Sequence, residues 1–387
     1  MFETLKAYCD SFLDYGLPGF DIIVYQGGRC VLRHMNGYSD FEKQIPMNGK
    51  ERYNIYSCTK VITCTAALML WEKGLFSLDD KLSDYMPEFE HMSVQTEDGL
   101  KEAENPILIR HLFQMTAGFS YNTGSPNLKQ CGIDTNGRFP TRETMKYLAK
   151  DPLLFEPGTR WEYSLCHDVL AALVEVISGE KFEDFCRKYI FEPAGMSRTT
   201  LMLPEEEIDT ITPQYTLRDG KPVRIRRHIW NYKLGSEYAS GGAGGISTVE
   251  DYIRFMECFR KGEYIKQETI EMIKTDKLTE EQMAPYRAKY GQSHDYGLGM
   301  RVPRGQNHFR DFGWGGAAGA YLAFDTEREM TLYFGMHVLP PSDILKALRG
   351  QLYRIAAAEL FDPEDLTDIR DRLKKLLGYD LKIIGRR

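Results

Sequence analysis

The first fifteen residues place apolar side chains at helical spacing, with Phe2, Leu5, Tyr8, Phe12 and Leu13 on one side. Gly16 and Pro18 end that predicted helix. Two β-rich runs follow, Phe20 to Tyr25 and Cys30 to Met35, joined by Gln26-Gly27-Gly28-Arg29, a hairpin signal. Near the other end, Ala320 to Phe324 and Met330 to Met336 form a second hairpin-like pair. After them, Ile344 to Leu360 reads as one amphipathic helix of about four turns or more. The two ends of the chain therefore predict halves of one antiparallel sheet with helices against it.

Between them the pattern is mostly helical. Val61 to Lys73 is apolar almost all round and stops at Gly74, which predicts a buried helix. Asp168 to Ser178 is a second apolar helix, closed by Gly179. Ser77-Leu78-Asp79-Asp80 and Ser247-Thr248-Val249-Glu250 both match the capping box that starts a helix. Residues 92–106 and 120–140 read as polar loops of a length that often frames a site. The expected fold is α+β: an antiparallel sheet flanked by helices, with an inserted, mostly helical lobe. Residues 1–53 and 290–387 would form the split α/β lobe and 54–289 the helical lobe, with the active site between them.

Composition narrows the class. Hydrophobic residues are 42% and charged residues 27% of the 387, a globular balance that excludes long disorder. A formal net charge of −7 gives no overall attraction to a phosphate backbone, so a nucleic-acid partner is not expected. No apolar run approaches the roughly 20 residues of a membrane span, and the opening Met1-Phe2-Glu3-Thr4-Leu5-Lys6 carries no secretory pattern. The eight cysteines follow no Cys-x-x-Cys or zinc spacing and read as reduced, mostly buried thiols. A cytoplasmic protein is expected.

The chemistry concentrates in a few strings. In Ser57-Cys58-Thr59-Lys60 the serine and lysine fall one turn apart on one helix face. At a helix N-terminus the serine also sits where free backbone N–H groups and the positive dipole end stabilise developing negative charge. A serine hydroxyl needs a base to become a nucleophile, and a desolvated lysine can supply one. The pattern is cheap: Ser178-Gly179-Glu180-Lys181 matches too, but there the serine closes a helix and the lysine lies beyond it. A capping serine with an exposed lysine is the blander reading of Ser57 as well. Trp161-Glu162-Tyr163-Ser164 offers a tyrosine that a nearby ammonium can turn into a base or proton shuttle, or merely a core aromatic. Phe312-Gly313-Trp314-Gly315-Gly316-Ala317 enters a strand, where its glycines permit close substrate approach and leave N–H groups for an oxyanion, or make a tight turn. Its loose match to a dinucleotide fingerprint is set aside because no helix follows.

Together these strings resemble the serine β-lactamase and penicillin-binding-protein-like hydrolases of the class C type, and within them the family VIII carboxylesterases. The likeness runs roughly from Phe20 to Leu339. It includes Ile109-Arg110-His111-Leu112 with Thr116-Ala117-Gly118, then Phe191-Glu192-Pro193-Ala194-Gly195-Met196, and the glycine-rich run from Ser240 to Thr248. The resemblance implies that Ser57 is acylated, that Lys60 is its first base partner, and that Tyr163 shuttles the proton to the leaving group. It implies an oxyanion hole from the backbone N–H groups of Ser57 and Ala317, with Trp314, Gly315, Gly316 and Leu165 lining the substrate. No cofactor or metal is implied.

Two departures bear on specificity. Where β-lactamases and transpeptidases of this group carry a cation in the third motif, Trp314 offers apolar area and one N–H. Where the second motif usually reads Tyr-x-Asn, Leu165 stands in place of the amide. Both changes point from charged amide substrates toward small neutral esters. The expected activity is therefore a serine carboxylesterase or acyltransferase taking a small-molecule ester or acyl substrate. A β-lactamase or D-amino-acid peptidase is the alternative, and a non-catalytic ligand-binding or sensor protein a second one. Two further features have bland readings: His167 as a packed histidine, and the Arg224-Ile225-Arg226-Arg227-His228 cluster as a solvated loop. Nothing in the sequence fixes the oligomeric state.

Overall fold

The first hairpin forms where the alternation predicts it. Strands β1 (Gly19–Gln26) and β2 (Arg29–Asp40) pair antiparallel around Gly27 and Gly28. Those glycines have φ of 58° and 77°, which a two-residue turn needs and a side chain resists. Short strand β3 (Ile45–Pro46) extends this edge, and β4 (Tyr321–Asp325) and β5 (Met330–Met336) add the other. The result is a five-stranded sheet in the order β4-β5-β1-β2-β3. Phe20 lies opposite Met336 and Gln26 opposite Met330, so the two ends of the chain meet in its centre. The structure, a computed structural model, describes residues 2–225, 233–305 and 310–378.

Seven helices matter for the site and its support. They are α1 (Glu3–Asp10), α2 (Thr59–Glu72), α3 (Cys166–Ser178), α4 (Val249–Arg260), α5 (Asp343–Arg349), α6 (Leu352–Leu360) and α7 (Asp365–Leu377). The period of two along the strands divides the core. Phe20, Ile22, Val24, Leu332 and Phe334 join Leu5, Tyr8 and Phe12 from the N-terminal segment and Leu348, Leu352 and Ile355 from the C-terminal helices. Ile23 and Tyr333 point the other way, into a larger cluster with α2, α3 and α4. The N-terminus of α1 is closed from the far end of the chain: Thr4 and Leu5 N–H donate to the Glu359 carboxylate at 3.1 and 2.9 Å. Tyr8 likewise donates to the Leu348 carbonyl at 2.9 Å.

The antiparallel sheet with flanking helices is the expected α+β architecture, but four local expectations fail. The helix foreseen over Ile344 to Leu360 is two, α5 and α6, broken at Gly350, the poorest helix former in the run. Ser77 to Asp80 starts no helix. Ser77 N–H does reach Asp80 Oδ2 at 2.7 Å, yet the Leu78 and Asp80 carbonyls already accept from Arg110 and Ile109 N–H and cannot serve a helix. The cap of α4 is Thr248, one residue beyond the expected Ser247, and its hydroxyl accepts from Asp251 N–H. Residues 92–106 are not loop alone but hold a hairpin (Ser93–Thr96 with Gly99–Glu102), and 120–140 hold a helix (Pro126–Asp134). Of the basic cluster, Arg224 pairs with Asp40 at 3.2 Å, and Arg226, Arg227 and His228 lie outside the described residues.

Candidate active site

Ser57 sits in a single tight turn, Tyr56–Cys58, that runs directly into α2. The turn begins with Tyr56 at φ 46°, a left-handed conformation that disfavours a bulky side chain. Tyr56 is held there by its hydroxyl, which exchanges hydrogen bonds with the Gln214 amide at 2.9 and 2.6 Å. Lys60 follows one turn later in the first turn of α2 and is fully buried, while Ser57 is 8% exposed. Its Nζ donates to the Gly242 carbonyl at 2.6 Å and lies 3.5 Å from Ser57 Oγ, the outer limit of a hydrogen bond.

Tyr163 comes from the segment leading into α3, and its phenol is hydrogen-bonded directly to Ser57 Oγ. Its ring lies nearly parallel to that of Tyr121, with centres 5.4 Å apart and an inclination of 6°, and to that of Trp314, 6.1 Å away and inclined by 14°. The Lys60 ammonium lies 4.6 Å from the centre of the Tyr163 ring, close enough for cation–π attraction. The exposed Lys289 has its Nζ 5.5 Å from the centre of the same ring.

The third motif closes the site from β4's side. Gly316 lies so close to the Ile55 carbonyl that a Cβ there would approach it to 2.4 Å. Gly315 bridges to Tyr321, and Ala317 sits in the turn before β4, its N–H without an acceptor among the described residues. Gly313 has φ 146°, and a Cβ on it would meet the Leu322 carbonyl at 2.5 Å. Behind Trp314, Arg301 donates to its carbonyl at 3.3 Å and pairs with the fully buried Asp311. The Arg301 charge holds the Asp311 carboxyl far below the usual carboxylate range, against the opposing effect of burial. Leu165 is buried in the core at the start of α3, its N–H donated to the Ser120 carbonyl at 3.2 Å.

The structure thus brings Ser57, Lys60, Tyr163 and Trp314 together and leaves the decoy apart. Ser178 donates to the Val174 carbonyl at 2.6 Å as a helix-closing serine. His167 is buried beside Cys64 at 3.6 Å, and burial lowers its pKa to about 3, so it stays a neutral packed ring. Three contributors were not singled out from the sequence: Tyr121, Lys289 and Asp168. The first two carry no motif. Asp168 had a signal, since the glycines of the Ser240 run admit no side chain: a Cβ on Gly242 would come within 2.4 Å of Asp168 Oδ2. Such a run marks backbone pressed against something that must stay close. A polar groove of about 880 Å³ between Asp40, Arg52, Thr212 and Arg224 shares no residue with this site. Among the described residues no group of three or more His, Cys, Asp or Glu is placed to hold a metal.

Ser57, Tyr163 and Lys60 thus form one tight cluster on this sheet-and-helix scaffold. The chain belongs to the beta-lactamase family, whose model matches residues 3–352. It is similar to Esterase EstB of Burkholderia gladioli, 29% identical over 296 residues, covering 69% of this chain and 73% of that one. Among solved structures it is similar to EstCE1, described as a hydrolase with promiscuous acyltransferase activity. That match has a TM-score of 0.74 at 22% identity over 90% of this chain and 97% of the other. It is also similar to simvastatin synthase LovD of Aspergillus terreus, with a TM-score of 0.76 at 21% identity over 92% and 97%. These likenesses give the fold as β-lactamase/transpeptidase-like. Among the described residues no helix is long and apolar enough to cross a membrane.

Proposed function

We propose that this protein is a serine carboxylesterase, or an acyltransferase by the same first step, that forms an acyl-enzyme on Ser57 with small neutral esters. The observation that carries the reading is the direct hydrogen bond between Ser57 Oγ and the Tyr163 phenol, with the buried Lys60 ammonium against the same ring. Ser57 Oγ attacks the ester carbonyl and its proton passes to the Tyr163–Lys60 pair, which starts one proton short, as a phenolate beside the ammonium. The tetrahedral oxyanion is met by the N–H groups of Ser57 and Ala317. Collapse breaks the acyl–oxygen bond, and Tyr163 returns the proton to the departing alkoxide. Water, or an acceptor alcohol or amine, then attacks the acyl-enzyme by the reverse sequence.

Trp314 supports the neutral-ester preference: it presents an indole in the place where a cation would meet a substrate carboxylate. The esterase and acyltransferase relatives support the reaction class. The free and mostly buried cysteines support a cytoplasmic place of work. The test is hydrolysis of p-nitrophenyl esters from acetate to octanoate by the wild type, Ser57→Ala and Ser178→Ala. Turnover should vanish in Ser57→Ala and persist in Ser178→Ala; equal turnover in the wild type and Ser57→Ala would refute the reading. Nitrocefin turnover equal to ester turnover would move the protein to the β-lactamases, and labelling without turnover would make it a sensor.

A further inference from the structure

The buried Lys60 ammonium poses a problem that the acyl-transfer reading leaves open. A charge fully removed from water is costly unless an anion balances it. Lys60 has no carboxylate within ion-pair distance among the described residues, and its short contact is to the neutral Gly242 carbonyl. The groups on which its charge acts can be taken in turn. Burial pushes the thiols of Cys58 and Cys166 up to about 12 and about 11, and that of Cys64 higher, so all three stay neutral. His167 is neutral as well, and the Tyr121 and Tyr163 rings face the ammonium with their π surfaces at 5.5 and 4.6 Å. Apart from the proton-shuttling Tyr163 oxygen, Asp168 remains as the source of negative charge among these described groups.

Asp168 stands on α3, five positions past Tyr163, and is 1% exposed. Its Oδ1 accepts from Tyr238 at 2.9 Å and from Ser240 at 2.6 Å, a pair of hydroxyl donors that solvate a charged carboxylate. Its Oδ2 faces Gly242, whose backbone N–H also acts on the carboxylate. A Cβ on Gly242 would touch both that oxygen, at 2.4 Å, and Lys60 Nζ, at 3.3 Å. Gly242 is therefore a spacer one residue thick between carboxylate and ammonium. Burial pushes the Asp168 carboxyl up from its ordinary value, and the Lys60 charge acts against that push.

On the reading of Ser57 as the nucleophile, we propose that Asp168 is a positioning residue of the acyl-transfer site. Its carboxylate, acting across Gly242, balances and fixes Lys60 as an ammonium, the task left open where Leu165 replaces an amide. Lys60 then organises the site as a charge, and Tyr163, the nearer partner of Ser57, receives the serine proton in its phenolate form and becomes the neutral phenol.

The experiment is the pH dependence of p-nitrophenyl butyrate hydrolysis by Asp168→Asn. Loss of the carboxylate should lower kcat about tenfold or more with KM within about threefold. The limbs of the pH profile should move by about one pH unit, because the charge facing the Ser57–Lys60–Tyr163 cluster across Gly242 has been removed. A kcat lowered evenly at all pH values, with the limbs unmoved, would reduce Asp168 to a structural role and overturn the proposal. So would a kcat unchanged within about twofold. If Asp168→Asn does not fold, Ser240→Ala carries the test. Loss of one hydroxyl donor should move the acidic limb up by about half a pH unit, and an unmoved limb overturns the proposal. Ser57→Ala run alongside separates the two levels: its retained turnover would remove the acyl-enzyme reading itself, whereas a dead Ser57→Ala with unshifted limbs removes only the role of Asp168.

Discussion

At the end of β5, His337 stacks on Tyr53 with ring centres 6.0 Å apart and meets Tyr215 at 5.5 Å. Neither of its ring nitrogens has a hydrogen-bond partner among the described residues. Burial lowers its pKa from 6.5 to about 3. Below pH 6.5 the unfolded chain takes up a proton here that the folded chain refuses, so this stability is full above that value and falls with pH down to the folded one. His337→Phe should keep the stacking and remove the loss. Between about pH 6 and 4 its unfolding free energy should depend on pH less steeply than the wild type's, by up to about 1.4 kcal/mol per unit, read by urea titration. An unchanged slope would mean that the ring is already protonated in the fold. Gly242→Ala belongs to the same scale. Its methyl group would press on Asp168 and Lys60 together, and kcat/KM should fall about 100-fold or more while the circular dichroism spectrum is kept.

The elements divide by how local their causes are. β1, β2, α2 and α3 were legible because alternation, a Gly-Gly turn and closing glycines at 74 and 179 act within a few residues. The Ser57-x-x-Lys60 pair and Tyr163 were legible for a related reason, since helix spacing puts the first two on one face. Ser77 misled because its capping bond forms while Ile109 and Arg110, distant in sequence, take the carbonyls a helix needs. Tyr121, Lys289 and Asp168 escaped because stacking and burial join segments that no spacing relates. The α4 cap gives a test at this scale: Thr248→Ala should cost about 1 kcal/mol by removing the acceptor of Asp251 N–H, and the thermal midpoint should drop accordingly. Ser247 takes no part in that cap, its buried hydroxyl meeting Thr199 at 2.7 Å instead.

Across the whole molecule, the site depends on a sheet assembled from both chain ends. Glu359 closes α1 from α6, and Phe2, Leu5, Tyr8 and Phe12 lie buried in the cluster under the sheet. Removing residues 1–16 should therefore unfold the protein, since four large buried side chains are worth on the order of 6–12 kcal/mol, comparable with the stability of a domain. Glu359→Gln is the milder counterpart: it keeps the shape and removes the charge at the helix terminus, at a cost of about 0.3–1 kcal/mol by denaturant titration. Folded, active protein after the truncation would show that the N-terminal helix is dispensable.

The pairing of β1 with β5 also sets a timetable for the newborn chain. Strand β1 leaves the ribosome early, but its partner Met330–Met336 is made only after some 300 further residues. At about 5–20 residues per second, that interval lasts roughly 15–60 s. Throughout it, the free edge of β1 and the apolar face bearing Ile22 and Val24 wait uncovered in a crowded cell. Synthesis of this protein thus demands either a chaperone's cover or slow expression, and a circularly permuted gene that makes β5 next to β1 should yield more soluble product from the same number of ribosomes.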